Sequence, residues 1–117
     1  MLLETSPLGS NALVVAVRAD HLDATTAPAF REATVGLDPG RRIVVLDLSS
    51  VRFVDSSGLS GLLALQRHLF SRNVRLSVCG LTRTVQALFE LMQVERLIEV
   101  FDTRESAALH LAKLGGE

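Results

Sequence analysis

Residues 43–62 read IVVLDLSSVRFVDSSGLSGL, from Ile43 to Leu62. Ile43 to Leu48 is the most apolar run in the chain, and an unbroken β-branched run of this length predicts a central strand buried on both faces. A few residues further on, Leu59, Leu62, Leu63, Gln66, Leu69 and Phe70 recur with the 3.6-residue period of a helix, from about Ser57 to Phe70. Between the two lies a short polar cluster, Asp55, Ser56, Ser57 and Gly58. A strand that turns into a helix through a carboxylate, two hydroxyls and a glycine defines an α/β corner. The chemistry of that corner is the central question of the sequence.

The flanking segments repeat the alternation. Ala12 to Ala19 is Val-rich and reads as a strand, followed by the polar loop DHLDATTAP. Pro28 suits a first helical turn, with Thr26 or Thr25 as cap, and Ala27, Phe30, Thr34 and Leu37 share one face as far as about Gly36. Asp38, Pro39 and Gly40 then make a turn. Val74 to Gly80 predicts another strand. The next helix is capped by Thr82, with Val85, Leu88, Phe89 and Met92 on one side. LIEVFD is a short strand. Asp102, Thr103 and Glu105 open a last helix in which Ala107, Ala108, Leu111 and Leu114 face inward and which Gly115 ends. With an extra strand at Leu2 to Glu4, the expected architecture is a single α/β domain over residues 1–117: a mixed, mostly parallel sheet of four to five strands with about four helices.

Composition narrows the functional classes. Of 117 residues 48% are hydrophobic and 21% charged, with a formal net charge of −1, which fits a globular domain. The arginines are scattered and form no basic stripe, and Trp and Tyr are absent, so nucleic acid is not an expected partner. Cys79 is the one cysteine and reads as a small buried apolar residue in a reducing compartment. MLLETSPLGS lacks the basic and apolar regions of a signal peptide, and no apolar run approaches the ~18 residues of a membrane span. A soluble cytoplasmic protein with no direct membrane insertion is expected.

Ligands and modifications in α/β sheets gather beyond the carboxyl ends of strands. If the strands feeding the first loop and the corner are neighbours, Asp23, Thr25, Asp55, Ser56 and Ser57 converge. The first turn of the following helix presents free N–H groups there, an environment suited to a phosphate. The corner then reads in two ways, as a bound anion or as a phosphorylated serine, beside the plainer reading that Asp55 or Ser56 caps the helix. Gly58 is expected to let a partner's backbone come close. Ser60, Gly61 and Ala64 fall about a turn apart and leave a low-relief helix surface, suited either to a docking partner or to close internal packing.

Catalysis has little support. The phosphate loops G-x-x-x-x-G-K-[ST] and G-x-G-x-x-G are absent, as is the G-x-S-x-G elbow. His21 stands in the first loop, within possible service of Ser56 as a base. His68 and His110 read as helix-surface residues. No His, Cys and carboxylate spacing matches a metal site, and no cofactor is implied.

IVVLDLSSVRFVDSSGLSGLLAL (Ile43 to Leu65) resembles the core motif of STAS domains, in particular those of bacterial anti-sigma factor antagonists. LDATTAPAF (Leu22 to Phe30) is similar to that family's first loop and helix, and Val78 to Ala108 to its later elements. The resemblance implies phosphorylation of Ser56 by a GHKL-type anti-sigma factor serine kinase, in an environment formed by Asp23, Asp55, Ser57 and Gly58. It also implies resetting by a PP2C-type phosphatase. The implied partner surface comprises Thr25, Leu59, Ser60, Gly61 and Ala64. One departure stands out: Ala19-Asp20-His21 occupies the place where the family usually has a glycine before Leu-Asp. Two other roles fit the same fold: a soluble subunit of a membrane lipid-transport complex, and a module binding a small ligand or nucleotide.

Overall fold

A computed structural model describes residues 2–37 and 40–114. The elements run in the order β1 (Leu3–Leu8), β2 (Ala12–Val17), β3 (His21–Leu22), α1 (Ala27–Val35), β4 (Ile43–Asp47), β5 (Phe53–Val54), α2 (Ser56–Phe70), β6 (Arg75–Cys79), α3 (Arg83–Leu91), a 3-10 turn (Val94–Arg96), β7 (Glu99–Phe101) and α4 (Arg104–Leu114). Five strands form one sheet in the order β1-β2-β4-β6-β7. The β2–β4, β4–β6 and β6–β7 pairs are parallel, and β1 closes the edge as an antiparallel hairpin partner of β2. The expected mixed, mostly parallel sheet with four helices is the observed one.

β4 lies at the centre, and all five of its residues are buried. Side chains alternate between the two faces of the sheet. Val44 and Leu46 join Val15, Val17, Leu76 and Val78 under α1, α2 and α3, which contribute Phe30, Leu62, Leu65, Leu69, Val85 and Phe89. Ile43 and Val45 face the other way, with Ala12, Val14 and Cys79, and meet Ala107 of α4. One face thus carries three helices and the larger core, and α4 covers the other. Cys79 is buried there, and burial pushes its thiol up to about 12. It is therefore an uncharged packing group at neutral pH.

Several local expectations shift. The N-terminal strand is longer than Leu2 to Glu4, because pairing with β2 continues through Leu8↔Ala12. The stretch assigned to a polar loop after β2 contains β3, a strand too short to show periodicity. Thr26 occupies the N-cap position of α1 without a side-chain capping bond. Its hydroxyl turns back and donates to the His21 carbonyl at 2.9 Å. Phe70, placed on the apolar face of α2, is 79% exposed: the buried stripe of the helix runs through Leu62, Leu65 and Leu69, and Phe70 lies off it. The α4 cap pairs Thr103 with Ser106, each accepting from the other's backbone N–H, where Glu105 was expected to take part. The turn at Asp38 and Pro39 and the stop at Gly115 lie outside the described residues, and so do the side chains of Leu111 and Leu114.

An ion pair between a buried aspartate and a half-buried arginine fastens α4 to the carboxyl ends of the strands. Asp47, last residue of β4, is 7% exposed. Its Oδ2 accepts from Arg104 Nε and Nη2, both at 2.7 Å, and its Oδ1 accepts from the Ser49 N–H at 2.9 Å. Burial alone would push this carboxyl up, but the Ser49 hydrogen bonds and the Arg104 guanidinium hold it below its ordinary value. A carboxyl lowered in the folded state stabilises the fold above its unfolded value of about 3.9, and that contribution disappears as pH falls through the folded value. Thermal melts between pH 7 and pH 2 should therefore show Asp47→Asn less stable than wild type at neutral pH, with the gap closing below about pH 4. Parallel acid limbs for the two proteins would exclude this role for Asp47.

Candidate functional site

Two loops at the carboxyl end of the sheet are zipped together by backbone. β3 and β5 pair in parallel, His21↔Phe53 and Leu22↔Val54. The ladder continues at both ends: Arg52 N–H donates to the Asp20 carbonyl at 2.6 Å, and Asp55 N–H to the Leu22 carbonyl at 3.1 Å. Asp23 and Asp55 each follow directly on one strand of this small sheet, so the convergence expected of the two loops is made by main-chain hydrogen bonds.

Gly58 makes the arrangement possible. A Cβ at this position would lie 2.0 Å from the Leu22 carbonyl oxygen and 2.6 Å from its carbon. The first turn of α2 rests on the backbone of β3, and no side chain fits between them. The close approach that Gly58 permits is therefore internal to the chain.

Asp55 is the N-cap of α2: its backbone is extended, and its Oδ1 accepts from the Gly58 N–H at 3.0 Å. The plain capping reading of the corner is correct for Asp55 and relieves Ser56 of that task. Ser56 is the first helical residue; it is exposed, and its hydroxyl makes no hydrogen bond among the described residues. Ser57 is half-buried. On the neighbouring loop, Asp23 Oδ1 accepts from the Thr25 hydroxyl at 2.6 Å, the Thr25 N–H at 2.9 Å and the Thr26 N–H at 3.3 Å. The Thr25 hydroxyl, and behind it the Thr25 and Thr26 amides and His21, hold the Asp23 carboxyl below its ordinary value, so it is ionised at neutral pH. His21 Nε2 lies 3.9 Å from Asp23 Oδ2. Thus His21, considered as a base for Ser56, is instead positioned beside Asp23.

The low-relief surface of α2 divides between two uses. Gly61 is buried, and a Cβ there would lie 3.2 Å from a ring carbon of Phe30. Its small size serves the α1–α2 contact, which corrects its expected place in a docking surface. Ser60 is exposed, and Leu59 and Ala64 are half-buried. Thr25 is exposed on the first loop. An open groove of about 430 Å³ runs between the start of α1 and the first turn of α2, lined by Ala24, Pro28, Arg31, Ser56, Ser57 and Ser60. Arg31 Nη2 donates to Ser60 Oγ across it at 2.9 Å. Arg31 drew no attention in the sequence because one arginine on an exposed helix face carries no pattern. Its position one turn beyond Pro28, opposite a serine-rich first turn, matters only once α1 and α2 are packed side by side. Asp47 and Arg104 escaped notice because they are 57 residues apart.

Among the described residues no group of three or more His, Cys, Asp or Glu side chains is placed to hold a metal, and no helix is long and apolar enough to cross a membrane.

The parallel sheet with one antiparallel edge, and a capped serine corner zipped to the preceding loop, define the STAS class of α/β domains. Residues 8–107 match the STAS domain, and the chain belongs to that family. It is 32% identical over 83 residues to the anti-sigma-B factor antagonist of Listeria monocytogenes, covering 70% of this chain and 73% of that protein. The solved structure of an anti-sigma factor antagonist from Mycobacterium paratuberculosis superimposes with a TM-score of 0.78 at 23% identity, over 92% of this chain and 91% of that one. The Bacillus cell fate determinant SpoIIAA, solved in its phosphorylated form, gives a TM-score of 0.63 at 16% identity, over 93% of this chain and 98% of that one. These two structures share the fold.

The contact at Gly58 and the cap at Asp55 differ sharply in energetic weight. Gly58→Ala must push a backbone away and should destabilise the domain by about 3 kcal/mol or more. Asp55→Ala removes one cap and should cost about 1 kcal/mol. Urea denaturation followed by circular dichroism measures both. A Gly58→Ala variant no less stable than Asp55→Ala would contradict the close packing of α2 on β3.

Proposed function

We propose that this chain is an anti-sigma factor antagonist that works by partner switching, with Ser56 as the switch residue. In this reading the unphosphorylated chain binds a GHKL-type anti-sigma factor serine kinase and displaces its sigma factor. The kinase phosphorylates Ser56 and the complex dissociates. A PP2C-type phosphatase restores the hydroxyl. The chain is the substrate in this cycle and catalyses no step. The observation that carries the reading is the free, exposed hydroxyl of Ser56 at the first position of α2, left available because Asp55 has taken the cap. The name of the Listeria relative supports the same direction, and the phosphorylated form of SpoIIAA shows that a protein of this fold accepts such a group.

The physical basis is electrostatic. Phosphorylation adds about −1.5 to −2 charges at neutral pH. The N-terminus of α2 partly accommodates them through its free N–H groups and dipole, while Asp23 and Asp55 repel them. The zipped corner need not rearrange for the surface to change from a neutral hydroxyl to a bulky dianion. A partner docked over Ser56 and the exposed parts of Thr25, Leu59, Ser60 and Ala64 would lose contact and meet charge. A loss of about 3 kcal/mol weakens binding roughly 150-fold, sufficient for release without a change of fold.

Incubated with the kinase and ATP, Ser56→Ala should remain bound, whereas Ser56→Asp should bind roughly 100-fold more weakly than unmodified wild type. Ser57→Ala should still be phosphorylated and released. Titration calorimetry with purified kinase gives the affinities, and mass spectrometry locates the phosphate. Equal affinity for Ser56→Ala and Ser56→Asp would overturn the assignment. Capture of a transporter ATPase by both variants, in place of a kinase, would turn the reading to a transport subunit.

A further inference from the structure

The proposed switch leaves Arg31 unexplained. This residue is exposed on α1, and among the described residues it forms no ion pair. The one hydrogen bond of its guanidinium there is to a neutral hydroxyl, Ser60 Oγ, at 2.9 Å. Arginine is a poor match for a lone serine: its planar fork of donors suits a carboxylate or a phosphate, which it binds through two parallel hydrogen bonds.

The position of Ser60 indicates where the guanidinium sits. Side chains on a helix lean toward its N-terminus, so Ser60 covers the surface of the preceding turn. Ser56 is four residues before Ser60 and therefore on the same face, with Cβ atoms about 5–6 Å apart. Arg31, Ser56, Ser57 and Ser60 line the same groove. The guanidinium, held on Ser60, thus lies about one helical turn along α2 from Ser56, in the groove that both residues line.

We propose that Arg31 is an intramolecular phosphate ligand: when Ser56 carries a phosphate, the Arg31 guanidinium leaves Ser60 and pairs with it, fastening α1 to the first turn of α2 across the groove. The proposal rests on the assignment of Ser56 as the modified residue. It adds a second element to the switch. The phosphate would not only repel a partner. It would also draw a cation over the groove and close part of the surface on which the partner docks. The charged and titratable groups around the phosphate would be Arg31 from α1, Asp23 and His21 from the first loop and β3, and Asp55 from the cap of α2. The two carboxylates favour the singly charged phosphate, and Arg31 favours the dianion.

The test needs no kinase. Phosphoserine can be installed at position 56 of the full chain by genetic encoding, and its second ionisation followed by phosphorus NMR in wild type, Arg31→Gln, Arg31→Lys and Ser60→Ala. In Arg31→Gln the midpoint should rise by about one pH unit relative to wild type. Arg31→Lys should recover part of the difference, and Ser60→Ala should leave the midpoint at or below the wild-type value. In nitrogen-edited spectra of the wild-type chain, the Arg31 side-chain N–H resonance should move on modification, a readout independent of any substitution. Identical midpoints in wild type and Arg31→Gln, or an unmoved Arg31 resonance, would overturn the proposal. Unchanged midpoints together with weaker kinase binding by Arg31→Gln would also overturn it and assign Arg31 to the partner interface. Failure of the kinase to modify Ser56 would count against the functional reading and leave the outcome of the titration intact as a measure of Arg31.

Discussion

The backbone of Leu22 and the first turn of α2 lie closer together than any side chain at position 58 would permit. That contact organises the carboxyl end of the sheet. With Gly58 in place, β3 and β5 can zip side by side, and two loops separated by about thirty residues of sequence become one surface. Asp23 and Asp55 then follow their strands as neighbours, and Ser56 starts a helix whose first turn is supported from beneath. The corner is framed by main-chain hydrogen bonds, and the Asp23 and Asp55 carboxylates pin the turns that follow the two strands. In the proposed switch this frame would stay fixed while the group on Ser56 changes.

The polar residues of the corner divide the work among themselves. Asp55 caps α2 and Asp23 gathers the donors of the following turn, so both carboxylates are engaged locally. Among the described residues the Ser56 hydroxyl bonds to no other group. A hydroxyl without such a bond can be modified at small cost to stability. The same separation appears on a larger scale. The ion pair of Asp47 with Arg104 and the packing of Ala107 secure α4 on the face of the sheet opposite α1, α2 and α3. Fastening of the last helix and presentation of Ser56 thus involve different side chains on different faces.

The small residues of α2 illustrate why a surface cannot be read from spacing alone. Gly58, Ser60, Gly61 and Ala64 look alike as a sequence of small side chains. In three dimensions Gly58 meets β3, Gly61 meets the ring of Phe30, and Ser60 receives Arg31. Small size means close packing at two of these positions and exposure at a third. The difference arises from the way α1 lies against α2, which no periodicity within α2 can report.

By itself the sequence determined the alternation of strands and helices, the double burial of β4, the cap at Thr82, and the position of the serine corner, where it left the cap open between Asp55 and Ser56. These follow from local chemistry: apolar runs with the period of one element, and a carboxylate or hydroxyl placed to receive free N–H groups. The tertiary structure alone decided which strands are neighbours, the two-residue strands β3 and β5, the ion pair of Asp47 with Arg104, and the placement of Arg31 over the groove. Two-residue strands are too short to carry a period, and partners 57 or 29 residues apart leave no local trace. The free hydroxyl of Ser56 lies between the two: its place at the corner was legible from its neighbours, but its freedom became evident only when every hydrogen bond around it had been assigned to another residue.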